Sequence, residues 1–337
     1  LQSPMPTPII PPEDLWSRQT NAQKFSFDFA PFGVPTEITA NDPATLTAAQ
    51  LSSRRFSRAT EPGGKNVHLK IVVGKQATAP VPDDLPERLV YSGLGDWITV
   101  SAGEWGHGFA NLQTRTALVF LSPALAAKAR LVSRYFIDHY LLNFLLADWA
   151  MLHASCVLDP TGKHLILMVA PHHTGKSTTA LHLLRAGYSF LADGMALLQL
   201  RSGRLIVGGY PVGEVKLRDD VLASFPEYAG ESVKVREHRK TVVSLRAAHP
   251  GQMADSLLAP SQVHLCFVER GASSKATPLA SDDALRLLTP NTVYWDEPAR
   301  LEHNTGTLHH LLQVAALHQL TIGPDPAELI AAMEALT

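Results

Sequence analysis

Nine consecutive residues, positions 170 to 178, have the types and spacing that bind phosphate groups. They match the pattern GxxxxGK[ST] of a phosphate-binding loop (P-loop), with alanine in place of the leading glycine. In such a loop, backbone N–H groups and the N-terminus of the following helix surround phosphate oxygens, a lysine adds positive charge and a hydroxyl binds Mg²⁺. The sequence therefore predicts that ATP and Mg²⁺ bind here, at Ala170, Pro171, His172, His173, Thr174, Gly175, Lys176, Ser177 and Thr178.

The segments around this loop are the ones that must position it. The apolar run 165–169 predicts a buried strand before the loop, and residues 177–185 predict a helix after it, ended by Gly187. A second short strand, 190–192, is followed by Asp193. Because a neighbouring strand can deliver a carboxylate from its carboxyl end, we expect Asp193 to bind Mg²⁺ or to accept the proton of an attacking hydroxyl. An aspartate before a glycine is, on its own, also typical of a turn.

Several histidines and one basic segment have ordinary explanations beside functional ones. His153 stands before the strand that leads to the loop, where a structural histidine is common. His172 and His173 are typical of solvent-facing loop residues, although protonated imidazoles would add donors for phosphates. The basic run 234–240 is either a solvated loop or a mobile flap that closes on phosphates. The C-terminal histidines lack the spacing of a zinc site: His303, His309, His310 and His318.

Length and composition restrict the class of protein. The chain has 337 residues, of which 45% are hydrophobic and 18% charged, with a formal net charge of -2. This balance is typical of globular domains and gives no sign of a nucleic-acid-binding protein. The most apolar stretch, 140–152, is interrupted by Asn143 and Asp148 and is too short to span a bilayer, and no signal-peptide pattern is visible. We expect a cytoplasmic protein without membrane or nucleic-acid partners, whose Cys156 and Cys266 are buried thiols.

The pattern along the chain predicts two α/β domains. Residues 1–90 begin with a proline-rich arm and continue with strands and a helix that opens at Asp42, so we expect a smaller accessory domain there. The proline-rich connector 77–86 favours a boundary near its end. Residues 91–337 then form the P-loop domain, whose longest helical pattern runs from about residue 122 to 149. Further helices are predicted over 280–288, 305–318 and 325–336.

Residues 150–200 resemble the HPr kinase/phosphorylase family and its related kinases. The resemblance rests on the pair His153–Ala154 one hairpin before the P-loop, on the P-loop itself, on the helix end around Arg185 and on the strand end at Asp193. The sequence departs from the family at two positions. Gly194 stands where the family has a second aspartate, and Ala170 stands where it has the leading glycine of the loop.

The resemblance implies a fold, a reaction and residue roles. The expected fold is α/β, with a P-loop kinase domain similar to that of phosphoenolpyruvate carboxykinase. The expected reaction is the ATP- and Mg²⁺-dependent transfer of a phosphoryl group to a serine-type hydroxyl on a small molecule, a peptide or a protein. The resemblance implies that Asp193 acts as base or metal ligand, that His153 lies near the transferred phosphoryl group, and that Lys176 and Ser177 keep their P-loop roles.

Two functions from different classes remain open at this point. The first is an ATP-dependent kinase whose catalytic residues are Asp193, His153 and Lys176. The second is a nucleotide-binding scaffold or regulatory protein that keeps the phosphate loop but has lost the chemistry at Gly194. The acceptor, the preference for ATP or GTP and the formation of a homo-oligomer are left open.

Overall fold

The computed structural model describes six stretches of the chain, and the proline-rich arm and His172 lie outside them. They are residues 24–59, 63–76, 78–171, 173–235, 238–293 and 297–337. Contacts divide these residues into two compact units, the first formed by 24–29, 34–53 and 63–144 and the second by 30–33, 54–59 and 145–337. The boundary expected near residue 90 therefore falls inside the first unit.

The first unit is built on a seven-stranded mixed sheet with the order β1-β2-β3-β7-β6-β5-β4. Strand β3 shows why the segment is extended: Val67, Leu69 and Ile71 are buried while His68 is exposed, which is the period-two pattern of a half-buried strand. The strands are β1 (Phe25–Phe29), β2 (Thr36–Ala40), β3 (Val67–Val73), β4 (Val90–Leu94), β5 (Trp97–Ser101), β6 (Gly106–Asn111) and β7 (Thr116–Leu121). Residue 90 opens β4, so a domain boundary there would cut this sheet.

The helices of the first unit are short, and the single long helix predicted over about 122–149 is wrong. The chain leaves helical geometry at Lys128, with φ −95° and ψ 66°, and Ser133–Ile137 form a turn of π-helix. The apolar face stays continuous through these interruptions, which is why its periodicity suggested one helix. The helices are α1 (Ala44–Ser53), α2 (Leu85–Arg88), α3 (Pro123–Ala126), α4 (Ala129–Val132) and α5 (Asp138–Leu146).

The second unit contains a six-stranded sheet with the order β11-β9-β10-β17-β19-β18. Strand β10 is parallel to β17, and β17 to β19, while β9 runs antiparallel between β10 and β11. Four strands (β10, β11, β17 and β19) therefore end at one edge of the sheet. The strands of this sheet are β9 (Ala154–Leu158), β10 (His164–Val169), β11 (Ser189–Asp193), β17 (Gln262–Arg270), β18 (Lys275–Pro278) and β19 (Ala316–Ile322).

Two three-stranded sheets and six helices complete the second unit. One sheet has the order β13-β12-β8 and the other β14-β16-β15. Their strands are β8 (Ala150–Leu152), β12 (Met195–Arg201), β13 (Arg204–Tyr210), β14 (Glu214–Leu217), β15 (Gly230–Val235) and β16 (His238–Ser244). The helices are α6 (Lys176–Arg185), α7 (Asp219–Leu222), α8 (Leu245–Ala248), α9 (Ser281–Leu288), α10 (Pro298–Val314) and α11 (Pro326–Glu334). This mixed arrangement confirms the α/β class.

Strand β10 is buried on both faces of its sheet. Leu165, Leu167 and Val169 pack in one hydrophobic cluster, while Ile166 and Met168 pack in the other together with α6. Burial on both sides explains why this strand is a continuous apolar run rather than an alternating one. The predicted strand before the loop and the predicted helix after it are thus confirmed.

The C-terminal prediction is correct in part. Helix α10 begins earlier than expected, at Pro298, because the Glu297 carboxylate accepts hydrogen bonds from the N–H groups of Ala299 and Arg300. It ends at Val314, and residues 316–318, predicted as helix, belong to strand β19. Within the six described stretches, no helix combines the length and apolar character of a membrane span.

Candidate functional site

The loop after β10 leaves the sheet at the edge where the parallel strands end. Ala170 is 3% exposed and closes the strand, and the next helix, α6, begins at Lys176. The first hydrogen bond within this helix runs from the Thr179 N–H to the Gly175 carbonyl, at 2.9 Å. The N–H groups of the first helical residues have no partner within the helix, so they are available to an anion.

The backbone of this loop takes left-handed turns at His173 and at Gly175. The φ angle is 67° at His173 and 119° at Gly175. Ala170, by contrast, does not have a positive φ angle. Alternation between right- and left-handed conformations points successive N–H groups to one side and forms a concavity that binds anions. Alanine at the leading position therefore fits this backbone without left-handed strain.

Lys176 folds back over the loop that precedes it. Its Nζ donates to the carbonyl oxygens of Ala170 and Pro171, at 2.6 and 3.1 Å, and the residue is 8% exposed. Burial lowers the pKa of this ammonium group, and the negative charge of Asp193 opposes that effect. A lysine held in this way places a positive charge beside the loop concavity.

Ser177 and Asp193 meet at the sheet edge. The Ser177 hydroxyl lies 2.8 Å from Oδ2 and 3.0 Å from Oδ1 of the Asp193 carboxylate. A bulge in β11 between Phe190 and Ala192 shifts the register just before this aspartate. Because a one-residue shift turns a side chain to the other face of a sheet, the bulge determines where the carboxylate points.

The Asp193 carboxylate has a second partner that the sequence did not suggest. The hydroxyl of Ser155, which lies opposite Asp193 in the β9–β11 register, donates to Oδ1. Ser155 is fully buried, and its neighbours along β9 are Ala154 and Cys156. The only sequence signal for this contact was a polar residue inside an otherwise apolar strand.

Gly194 follows the end of β11 and His153 precedes the start of β9, the two strands that carry Asp193 and Ser155. Gly194 has φ 134° and its N–H donates to the Ala154 carbonyl at 3.1 Å, a conformation that L side chains rarely adopt. An aspartate at this position would therefore be strained. His153 is half-buried, and its backbone N–H donates to the Asn291 carbonyl at 2.7 Å. The place of its imidazole in a reaction stays a prediction.

Two arginines from distant parts of the sequence contact the loop. The Arg270 guanidinium donates to the carbonyl oxygens of Thr174 and His173, both at 3.3 Å. Arg218 lies 3.5 Å from Nδ1 of His173 and forms a two-pronged contact with Asp220, at 3.0 and 3.1 Å. Neither arginine is predicted as a site residue from the sequence, because neither lies near the loop in the chain.

A cavity of about 560 Å³ opens beside α6 and the loop. Thr178 and His182 line it from the helix, and the turn after β17 and the chain after β19 form further walls. The volume is within the range of small-molecule sites. Its remaining lining residues are Thr174, Gly175, Thr179, Ser224, Arg270, Gly271, Ala272, Ile322, Gly323, Pro324, Pro326 and Leu329.

The donor set at the edge fits Mg²⁺ rather than a transition metal. Ser177 and Asp193 offer oxygen atoms, which Mg²⁺ prefers, and a magnesium site is usually completed by phosphate oxygens and water. In the parts of the chain that the structure describes, no three histidine, cysteine, aspartate or glutamate side chains are grouped to hold a metal. Both cysteines are buried and unpaired, as expected.

Comparisons with known proteins find matches among solved structures. No protein-family model matches the sequence, and no curated protein matches it. Among solved structures, the Hpr(Ser) kinase/phosphatase from Coxiella burnetii is similar at 14% identity and a TM-score of 0.28, over 55% of this chain and 89% of that chain.

Proposed function

We propose that this chain binds a nucleoside triphosphate with Mg²⁺ at residues 170–178 and transfers its terminal phosphoryl group to a hydroxyl acceptor. The observation that carries the proposal is the meeting of Ser177 and Asp193, 2.8 Å apart, at the start of the helix that follows the loop. A hydroxyl and a carboxylate at this place are the protein groups that phosphoryl transfer requires around a metal ion.

The loop supplies the binding part of the proposal. Backbone N–H groups between His173 and Thr178 surround the phosphates, and Lys176 leaves its carbonyl partners to pair with them. The bound nucleotide and its Mg²⁺ supply the phosphoryl group and neutralise its charge. The cavity beside α6 then takes the nucleoside, since Thr174, Gly175 and Thr178 belong both to the loop and to the cavity wall.

The carboxylate supplies the chemical part of the proposal. Asp193 accepts the proton of the acceptor hydroxyl or orients that hydroxyl, while the Ser177 hydroxyl contributes to the metal site. His153, the single residue between β8 and β9, contributes to charge balance near the transferred group. The acceptor is a serine-type hydroxyl on a small molecule, a peptide or a protein.

Nucleotide binding and turnover in three variants test this proposal. We expect Lys176→Ala to weaken binding of ADP and ATP about 10-fold or more, because a buried charge contact to phosphate is lost. The matched control is Lys163→Ala. Lys163 is exposed and directly precedes the first residue of β10, at the end of the strand away from the loop, so this variant should bind nucleotide as the wild type does. Equal affinity in all proteins would refute the assignment of the loop.

Asp193→Asn then separates binding from chemistry. The carboxamide keeps the size of the side chain but cannot act as a base, so we expect nucleotide binding to persist and turnover to fall about 100-fold or more. Turnover is measured as ADP release and as label transfer from γ-labelled ATP to a pool of small hydroxyl compounds and peptides. Tight binding with no turnover in either protein would contradict the kinase proposal.

A specific observation favours a second candidate function. Gly194 stands where a second carboxylate would be expected and is held at φ 134°, so the site contains one carboxylate where the resembling kinases have two. A nucleotide-binding scaffold or regulatory protein would need only the loop. This alternative is supported if the wild type and Asp193→Asn both bind nucleotide and neither of them turns it over.

A further inference from the structure

A buried serine hydroxyl fixes the carboxylate on which the proposed chemistry depends. Ser155 donates to Oδ1 of Asp193, and Ser177 contacts both oxygens of the same group. A hydroxyl inside an apolar strand is destabilising unless it is hydrogen-bonded. Its neighbours Ala154, Cys156 and Val157 are all fully buried, so the bond to Asp193 is what satisfies this side chain.

We infer that Ser155 is a positioning residue, an inference that rests on the proposed function. Its hydroxyl holds Oδ1 of Asp193 and leaves Oδ2 as the oxygen directed to the reacting groups. The two serines differ in what they can do. Ser177 is half-buried at the start of α6 and can turn to another partner, whereas Ser155 is enclosed in β9 and can serve only the carboxylate.

The backbone around Gly194 explains why a serine hydroxyl, and not a second carboxylate, positions Asp193. The N–H of Gly194 donates to the carbonyl of Ala154, the residue before Ser155, so β9 and the end of β11 are joined at this point. With φ at 134°, position 194 disfavours an aspartate that could share the metal or the proton. A neutral donor opposite Asp193 restrains the single carboxylate without adding a second negative charge.

Binding of ADP with and without Mg²⁺ tests the inference without relying on turnover. We measure the affinity of each protein for ADP by calorimetry in excess Mg²⁺ and in excess EDTA, and take the ratio as the gain from the metal. In Ser155→Ala we expect affinity in EDTA to stay near the wild-type value. The gain from Mg²⁺ should fall about 10-fold, the size of a hydrogen bond to a charged group. Ser155→Thr, which keeps a hydroxyl, should restore it.

Steady-state kinetics provide the second readout. We expect Ser155→Ala to lower kcat about 10-fold while KM for ATP changes little, because Ser155 lies on the carboxylate and not in the loop. Ser189→Ala, at the opposite end of β11, is the matched control and should change neither value. If the alanine variant does not melt cooperatively, Ser155→Cys replaces it, since a thiol of similar size is a much weaker donor.

The outcomes distinguish the inference from the proposed function. A wild-type protein that binds no ADP in either condition overturns the proposed function and the inference together. A wild-type protein that binds ADP more tightly with Mg²⁺, but whose Ser155→Ala variant matches Ser189→Ala in metal gain and in kcat, overturns the inference alone. A loss in the alanine variant that Ser155→Thr restores supports it.

Discussion

Acid should destabilise the second unit through a row of three stacked histidines on adjacent strands. Nδ1 of His164 lies 3.1 Å from Nε2 of His264, and Nδ1 of His264 lies 3.3 Å from Nε2 of His318. The neighbouring ring centroids are 5.3 and 5.5 Å apart. The central ring, His264, is 5% exposed. Each neutral ring can donate one hydrogen bond and accept one, so the row is satisfied when its rings carry no charge.

The magnitude follows from the central ring. The pKa of His264 is lowered to about 4, mainly by burial and also by the charges of His318 and His164, while the charge of Asp159 opposes this shift. Its pKa in the unfolded chain is about 6.5. Above that value neither state binds the proton. Between the two values the unfolded state binds it and the folded state does not, so stability falls as pH falls. At pH 5 this amounts to about 2 kcal/mol.

Urea unfolding at two pH values is the assay. We expect the wild type to lose about 2 kcal/mol more than His264→Gln between about pH 7.5 and pH 5, because glutamine does not titrate but can still donate and accept. His309→Gln removes an exposed histidine and should lose as much as the wild type. Equal losses in the wild type and in His264→Gln would refute this account of the row.

The same stability measurement is needed to interpret the pH dependence of turnover. His164 opens β10, whereas the candidate site lies beyond the carboxyl end of that strand. A loss of turnover in mild acid would therefore combine partial unfolding with any titration in the site. Turnover of His264→Gln should persist to lower pH than that of the wild type if unfolding is the cause.

Three further outcomes can be measured with single variants. Leu167→Ala removes a fully buried side chain from the centre of β10 and should lower the free energy of unfolding by about 2–5 kcal/mol in urea melts. Gly230→Ala should be clearly destabilising, because a Cβ there would lie 2.0 Å from the Val242 carbonyl oxygen; a wild-type melting temperature would contradict the packing of β15 on β16. Ser177→Thr should keep the gain in ADP affinity from Mg²⁺ while Ser177→Ala loses most of it, since either hydroxyl serves in this position.

Local signals predicted the elements that flank the loop well. The strand before the loop and the helix after it are both found close to their expected bounds. The hairpin formed by β12 and β13 likewise depends on contiguous residues, since Ser202 and Gly203 have φ angles of 50° and 75°, the backbone that a two-residue turn requires. Such features depend on contiguous residues, and the sequence pattern of the loop is likewise contained in one short segment.

Features that depend on tertiary contacts were not predictable in the same way. Residues 316–318, the first three of β19, were predicted as helix because the apolar pattern of the preceding helix continues into them, and pairing with β17 and β18 identifies them as strand. The π-helical turn at Ser133–Ile137 keeps the apolar face of its helices in phase, so periodicity does not reveal it. Arg218 and Arg270 reach the loop from 45 and 96 or more positions away in sequence.

Asp193 shows why the sequence alone could identify a site residue but not the contacts of its side chain. Its position after a strand was enough to predict Asp193 as a site residue. The direction of its side chain, however, depends on the bulge between Phe190 and Ala192, which no local sequence pattern predicts. Without that shift, the register of β11 against β9 would place Asp193 beside another residue than Ser155. A substitution that straightened the bulge would therefore disturb both serine contacts at once and leave the loop intact. In the proposed function, phosphate binding by the loop and phosphoryl transfer at Asp193 would thus depend on different parts of the fold.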